Sequence, residues 1–196
     1  MELRGRLRRA LRDTAHAFDH ALDSFTPIFG ASTYPERMFS YYYIQALSIA
    51  LKPANVLLEL AVTGKGKRGK DNHIDALVFS DREVVVAEFK RAWTPSHWDD
   101  LARDLARLRG PIAREIRRGF TDGPKRQSFV LLGADCWGRE AAKAWKSGSK
   151  VKQWVLPSRL HKADRDCLRV FPRGERTDYD GYYFTWALLP FDEMAA

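Results

Sequence analysis

His73-Ile74-Asp75-Ala76-Leu77-Val78-Phe79 and Val84-Val85-Val86-Ala87-Glu88-Phe89-Lys90 are two short, apolar, β-branched runs. They are separated by a turn at Ser80-Asp81-Arg82. Runs of this kind predict two strands near the middle of a sheet, joined as a hairpin. A central strand normally has no use for a carboxylate or an ammonium, because burying an unpaired charge costs several kcal/mol. Here Asp75, Glu88 and Lys90 fall at one end of the two runs. Alternation puts Glu88 and Lys90 on one face and Phe89 on the other. Pairing about the turn brings Asp75 close to Glu88. Two carboxylates and a lysine on one face can hold a divalent cation and position a water.

The arrangement resembles the PD-(D/E)XK nuclease superfamily, the restriction-endonuclease-like fold. In that family an Asp on the second strand is followed by (Asp/Glu)-x-Lys on the third. Asp75 matches the first position and Glu88-Phe89-Lys90 the rest; Ile74 stands where the motif's Pro would be. The resemblance covers about Pro35 to Trp137. It implies a core of helix, three antiparallel strands, helix and strand. It also implies Mg²⁺ (with Mn²⁺ as substitute) held by Asp75, Glu88 and the Phe89 backbone carbonyl. Lys90 would orient or deprotonate the attacking water, or stabilise developing negative charge. Many family members carry a further acid on the helix before the sheet, where Glu36 stands. Glu59, isolated in the apolar run Leu57-Leu58-Glu59-Leu60, is the other candidate to complete the site.

The remaining elements are read from periodicity. Leu3, Leu7, Ala10, Leu11, Phe18, Leu22 and Phe25 predict a long amphipathic helix ending near Thr26-Pro27, its other positions rich in arginine. A second helix begins at Tyr34-Pro35-Glu36 and ends at Lys52-Pro53. The first strand covers Asn55 to Thr63, and the third runs to about Ala92. Leu101, Leu105, Leu108 and Ile112 mark a helix starting at Thr94 or Ser96 and broken at Gly110-Pro111. Ser128 to Ala134 is a fourth strand, followed by a short helix near Glu140 to Lys146. Cys167 to Phe171 and Tyr182 to Leu189 read as late strands. The expected fold class is α/β, with a central mixed sheet flanked by helices. The chain is expected to form one nuclease-like domain over 1–196, with an N-terminal helical extension (1–30), a core (35–137) and a C-terminal β-rich extension (138–196).

The chain has 196 residues and a formal net charge of +8. One sizeable core is the expectation for this length. The positive balance favours polyanionic partners. Its two cysteines, Cys136 and Cys167, are too few for a disulfide framework or a Cys-rich zinc site. Reduced thiols and a charged N-terminus without a continuous apolar stretch point to a cytoplasmic protein. No run is apolar enough to span a bilayer, and of the polyanions that the charge suits, nucleic acid or an anionic membrane surface, nucleic acid and not a membrane is the expected partner.

Gly64-Lys65-Gly66-Lys67-Arg68-Gly69-Lys70 has the glycine and lysine spacing of a phosphate-binding P-loop. Asp71 replaces the needed Ser/Thr, however, and a strand follows where a helix should begin. The better reading is a basic hairpin tip beside the site, with Lys65, Lys67, Arg68, Lys70 and Arg91 gripping phosphates. Trp93, His97 and Trp98 stand where aromatics stack on bases or pack a strand-to-helix junction, and packing is commoner. The histidines show neither zinc-ligand nor Ser/His/Asp arrangements.

The expected function is a metal-dependent endo- or exonuclease hydrolysing phosphodiester bonds, in DNA rather than RNA, with a homodimer among the expected states. Its rival is a catalytically silent nucleic-acid-binding or protein-interaction module of the same fold.

Overall fold

The structure, a computed structural model, describes residues 2–24, 36–62, 72–92, 94–109, 116, 119, 126–171 and 182–190. The chain runs α1 (Leu3–Ser24), α2 (Glu36–Ala50), β1 (Asn55–Val62), β2 (Asn72–Phe79), β3 (Glu83–Ala92), α3 (Pro95–Arg109) and β4 (Gln127–Trp137). It continues through α4 (Arg139–Ser147), a 3₁₀ turn at Ser158–Leu160, β5 (Asp164–Phe171) and β6 (Tyr182–Pro190). The strands form one six-stranded mixed sheet in the order β1-β2-β3-β4-β6-β5. β1, β2 and β3 are antiparallel neighbours, β4 is parallel to β3, and β6 is antiparallel to β4 and β5. The expected C-terminal extension therefore supplies two strands of the same sheet.

Two cores lie on opposite faces of that sheet. Leu7, Leu11 and Phe18 of α1 and Phe39, Tyr43 and Leu47 of α2 cover Val85, Ala87, Phe89 and Leu131 on one face. Trp98, Leu101, Leu105 and Leu108 of α3, with Trp145 of α4, cover Val84, Val86, Val130 and Leu132 on the other. Residues 84–89 of β3 are all buried, as a strand covered on both faces requires. Trp98 stacks edge-on with Trp145 and Trp154, so it serves the junction and the core. β5 begins three residues before its predicted start, because Asp164 and Asp166 break the apolar signal. These two aspartates face α1 and pair with Arg8 and Arg12. No helix among the described residues is long and apolar enough to cross a membrane.

Candidate active site

The hairpin register places Phe79 opposite Val84 and Ala76 opposite Ala87, across a turn in which Ser80 N–H donates to the Glu83 carbonyl. The next pair would be Asp75 with Glu88, but the ladder stops at Ala76. There the Asp75 carboxylate itself takes over, its Oδ2 accepting the Phe89 N–H at 2.6 Å. The N–H and C=O of a strand residue point the same way. The Phe89 carbonyl therefore also faces the β2 side, beside Asp75. β2 stays paired to β1 past this point, through Leu60–Ile74 and Val62–Asn72. The two halves of the hairpin thus part at the acids.

The β1 partner of Asp75 is irregular as well. Pairing skips Glu59 and Asp75, and Glu59 adopts a left-handed φ of 49°. A non-glycine residue there is strained by roughly 1–2 kcal/mol, and such strain concentrates near functional sites. The alternation of β2 also breaks: Ile74 and Leu77, three residues apart, join the same core, while Ala76 and Val78 join the other.

On β3, Glu88 and Lys90 point to the α3 face. The Glu88 side chain is 1 % exposed, and its Oε1 accepts from Arg107 Nη2 at 2.7 Å. Its Oε2 is buried and makes no hydrogen bond. Lys90 Nζ lies 2.9 Å from Asp104 Oδ2, and Arg107 Nη2 also lies 3.3 Å from Asp104 Oδ1. Asp104 and Arg107 stand one turn apart on α3. Three carboxyl groups therefore meet two cations.

Burial pushes the Glu88 carboxyl up to about 8, the charges of Asp75 and Asp104 add to the shift, and Arg107 opposes it. Asp75 is raised too, chiefly by burial, while the Phe89 N–H and Lys90 act the other way. Burial pulls the Lys90 ammonium down, but Asp104, Asp75 and Glu88 outweigh it, so its pKa lies above the ordinary lysine value. Lys90 is a cation here, suited to donate to negative charge rather than to accept a proton.

The predicted residues separate into groups. Asp75, Glu88, Phe89 and Lys90 come together, and Glu59 lies near enough for its charge to raise Asp75. Arg91 lies on the opposite face of the sheet, its Nε 3.3 Å from Oδ2 of the fully buried Asp135, which also accepts from the Tyr182 hydroxyl at 3.3 Å. Glu36 opens α2, and its side chain lies outside the described residues. Lys65, Lys67, Arg68 and Lys70 lie outside them altogether. Asp104 was not singled out by the sequence, and Arg107 read as one of several arginines on a solvated helix face. Asp104 carries a faint signal, since it lies three residues after Leu101 and four before Leu108, on the stripe that an amphipathic helix usually fills with apolar residues.

Among the described residues no three His, Cys, Asp or Glu side chains converge as a metal-binding group. A hard divalent cation that keeps several waters needs only one or two carboxylates. Asp75 and Glu88 supply two, and the buried, unbonded Glu88 Oε2 is an oxygen lacking a cationic or donor partner. The donor set fits such an ion. Comparison of the chain with protein-family models, with curated proteins and with solved structures gives no match.

Proposed function

We propose that the chain is a metal-dependent nuclease of restriction-endonuclease-like fold, hydrolysing phosphodiester bonds, with DNA as the preferred substrate. The observation that carries this reading is a cluster of three carboxyl groups and two cations in which the buried Glu88 Oε2 has no partner. A structural ion pair buried this deeply would be expected to satisfy its oxygens. The order helix, three antiparallel strands, helix and parallel strand, from α2 to β4, supports the fold assignment. The net charge of +8 suits a polyanionic substrate.

In this mechanism Asp75, Glu88 and the Phe89 carbonyl would hold Mg²⁺, which when bound would supply Lewis-acid polarisation of a phosphoryl oxygen and a more acidic water. Lys90 stands on the same face, two residues beyond Glu88. As an ammonium it donates to the oxygens on which negative charge develops. Asp104 holds the Lys90 head by its 2.9 Å contact, so little reorganisation is needed at the moment of reaction. The sheet behind the site excludes water on one side, which strengthens each of these interactions.

Single-turnover cleavage of single- and double-stranded DNA and RNA in Mg²⁺, Mn²⁺ or EDTA tests the reading. The parent should cut in metal and not in EDTA. Lys90→Ala should slow cleavage by roughly a hundredfold, about 3 kcal/mol, with substrate affinity changed far less. A parent that cuts none of these substrates with either metal overturns the assignment in favour of the binding module.

A further inference from the structure

We infer that Arg107 and a divalent cation are alternative occupants of the Glu88 carboxylate, and that the guanidinium, once displaced, holds a phosphate of the nucleic acid. The inference rests on the nuclease reading and adds a residue that the Asp, Glu and Lys pattern does not contain. Arg107 would then be both the placeholder of the empty site and a substrate contact of the filled one.

The contact between Arg107 and Glu88 is incomplete on both sides. Only Nη2 reaches Glu88, at 2.7 Å. The buried Nε of Arg107 and the buried Oε2 of Glu88 each lack a hydrogen-bond partner. A guanidinium built to lock a carboxylate permanently would present its fork to both oxygens. Here a donor and an acceptor are left unmade at buried positions, where that is costly. Such a pair is poised for exchange.

The two partners also differ in access. The Glu88 side chain is 1 % exposed and fixed on a central strand, whereas that of Arg107 is 31 % exposed and sits at the end of a long, flexible stem on α3. When a second cation reaches Glu88, repulsion between like charges at this range in a buried site favours departure of the mobile one. Asp104, 3.3 Å from the same Nη2 and one turn back on α3, keeps the released guanidinium near the site. Its planar fork matches phosphate oxygens, which an incoming nucleic acid provides.

The experiment pairs Mn²⁺ titration calorimetry with fluorescence anisotropy of labelled DNA oligonucleotides, measured in Ca²⁺ and in EDTA. The proteins are the parent, Arg107→Met, Arg107→Gln, Arg107→Lys and Glu88→Gln. Arg107→Gln can still hydrogen-bond Glu88 and guards against a misfolded Arg107→Met. Both neutral variants should bind Mn²⁺ about fivefold or more tightly than the parent, because a competing positive charge has gone. They should bind DNA about fivefold more weakly in Ca²⁺, where the parent's Arg107 is free, and like the parent in EDTA, where it is engaged. Arg107→Lys should stay close to the parent in Mn²⁺ affinity. Unchanged or weaker Mn²⁺ binding in both neutral variants, with binding abolished by Glu88→Gln, overturns the exchange and leaves the nuclease reading standing. If Glu88→Gln binds Mn²⁺ as the parent does, or the parent binds none, the metal assignment and this inference fall together.

Discussion

On the α1 side of the sheet, Arg8 and Arg12 reach one to one for Asp164 and Asp166 of β5, whereas on the α3 side Glu88 and Asp104 pair with Arg107 and Lys90 in the field of a third carboxyl group, Asp75. The first set lies at the rim, with both arginine side chains more than half exposed. It joins a helix to an edge strand far along the chain, and water meets whatever the pairs leave unmade. The second set is packed beneath a helix, its Glu88 fully buried, and its carboxyl groups outnumber its cations. Paired charges at a surface orient elements at little cost. An unbalanced buried cluster costs stability and is hard to explain by folding alone, so function is the better account of it.

The contrast is sharpest in its dependence on pH. The Glu88 carboxyl has an ordinary value of 4.5 and is pushed up to about 8 in the folded chain. Between these values the folded state keeps a proton that the unfolded state has released. The stability associated with Glu88 is thus fully present below about 4.5 and lost as pH rises to about 8. The upper bound is roughly 3–5 kcal/mol for one such group. Glu88→Gln should abolish this slope, be more stable than the parent at pH 9 in EDTA, and lose cleavage. Denaturant titrations of both proteins at pH 5 and pH 9 measure it. Parallel pH profiles would show that the cluster is relaxed and no different in kind from the α1 pairs.

The same contrast explains what could be read before the structure. Asp75, Glu88 and Lys90 stood out because charges interrupt two apolar strands, and period-two alternation then fixed their shared face. Asp104 and Arg107 were hidden because arginine and aspartate on a helix usually mark a solvated surface. The packing of α3 on β3 shows that this edge of the helix turns inward. The partners of Arg8 and Arg12 were illegible for another reason. Local patterns predict strands but not their order in the sheet, and β5 reaches α1 only because β6 lies beside β4. The ladder's end at Ala76 and the left-handed Glu59 have no local sequence signal, since one arises where β2 and β3 part and the other where the β1–β2 ladder skips a pair.

Gly133 offers a way to disturb the buried cluster from the opposite face. A Cβ there would lie 2.8 Å from Phe89 Cδ1 and from two ring carbons of Tyr43. Neither ring can give way easily. Tyr43 stacks on Phe184 with centroids 4.0 Å apart, and its hydroxyl donates to backbone carbonyls of β4 and β6. Gly133→Ala should destabilise the protein by about 1–3 kcal/mol, the usual range for overpacking a close-packed core. Because Phe89 lies between Glu88 and Lys90 on the strand, the substitution should also weaken Mn²⁺ binding without touching the site. Thermal denaturation and Mn²⁺ titration of this variant check both effects. Unchanged stability would mean that the aromatic core beneath the site is loose.

The smallest effect belongs to the rim, and it tests the other half of the comparison. Asp164 accepts both Nε, at 2.6 Å, and Nη2 of Arg8, a two-pronged contact. Its geometry is good, yet the Arg8 side chain is 56 % exposed, so solvent and salt screen the attraction. Holding a long arginine in one rotamer opposes it further. A double-mutant cycle over Arg8→Ala and Asp164→Ala should give a coupling energy of no more than about 1 kcal/mol, shrinking in molar salt. Cleavage, if the chain is a nuclease, should be unchanged in all three variants, because none of these groups touches the α3 face. A coupling of several kcal/mol, insensitive to salt, would show that the rim pairs are effectively buried and that exposure does not separate the two regions.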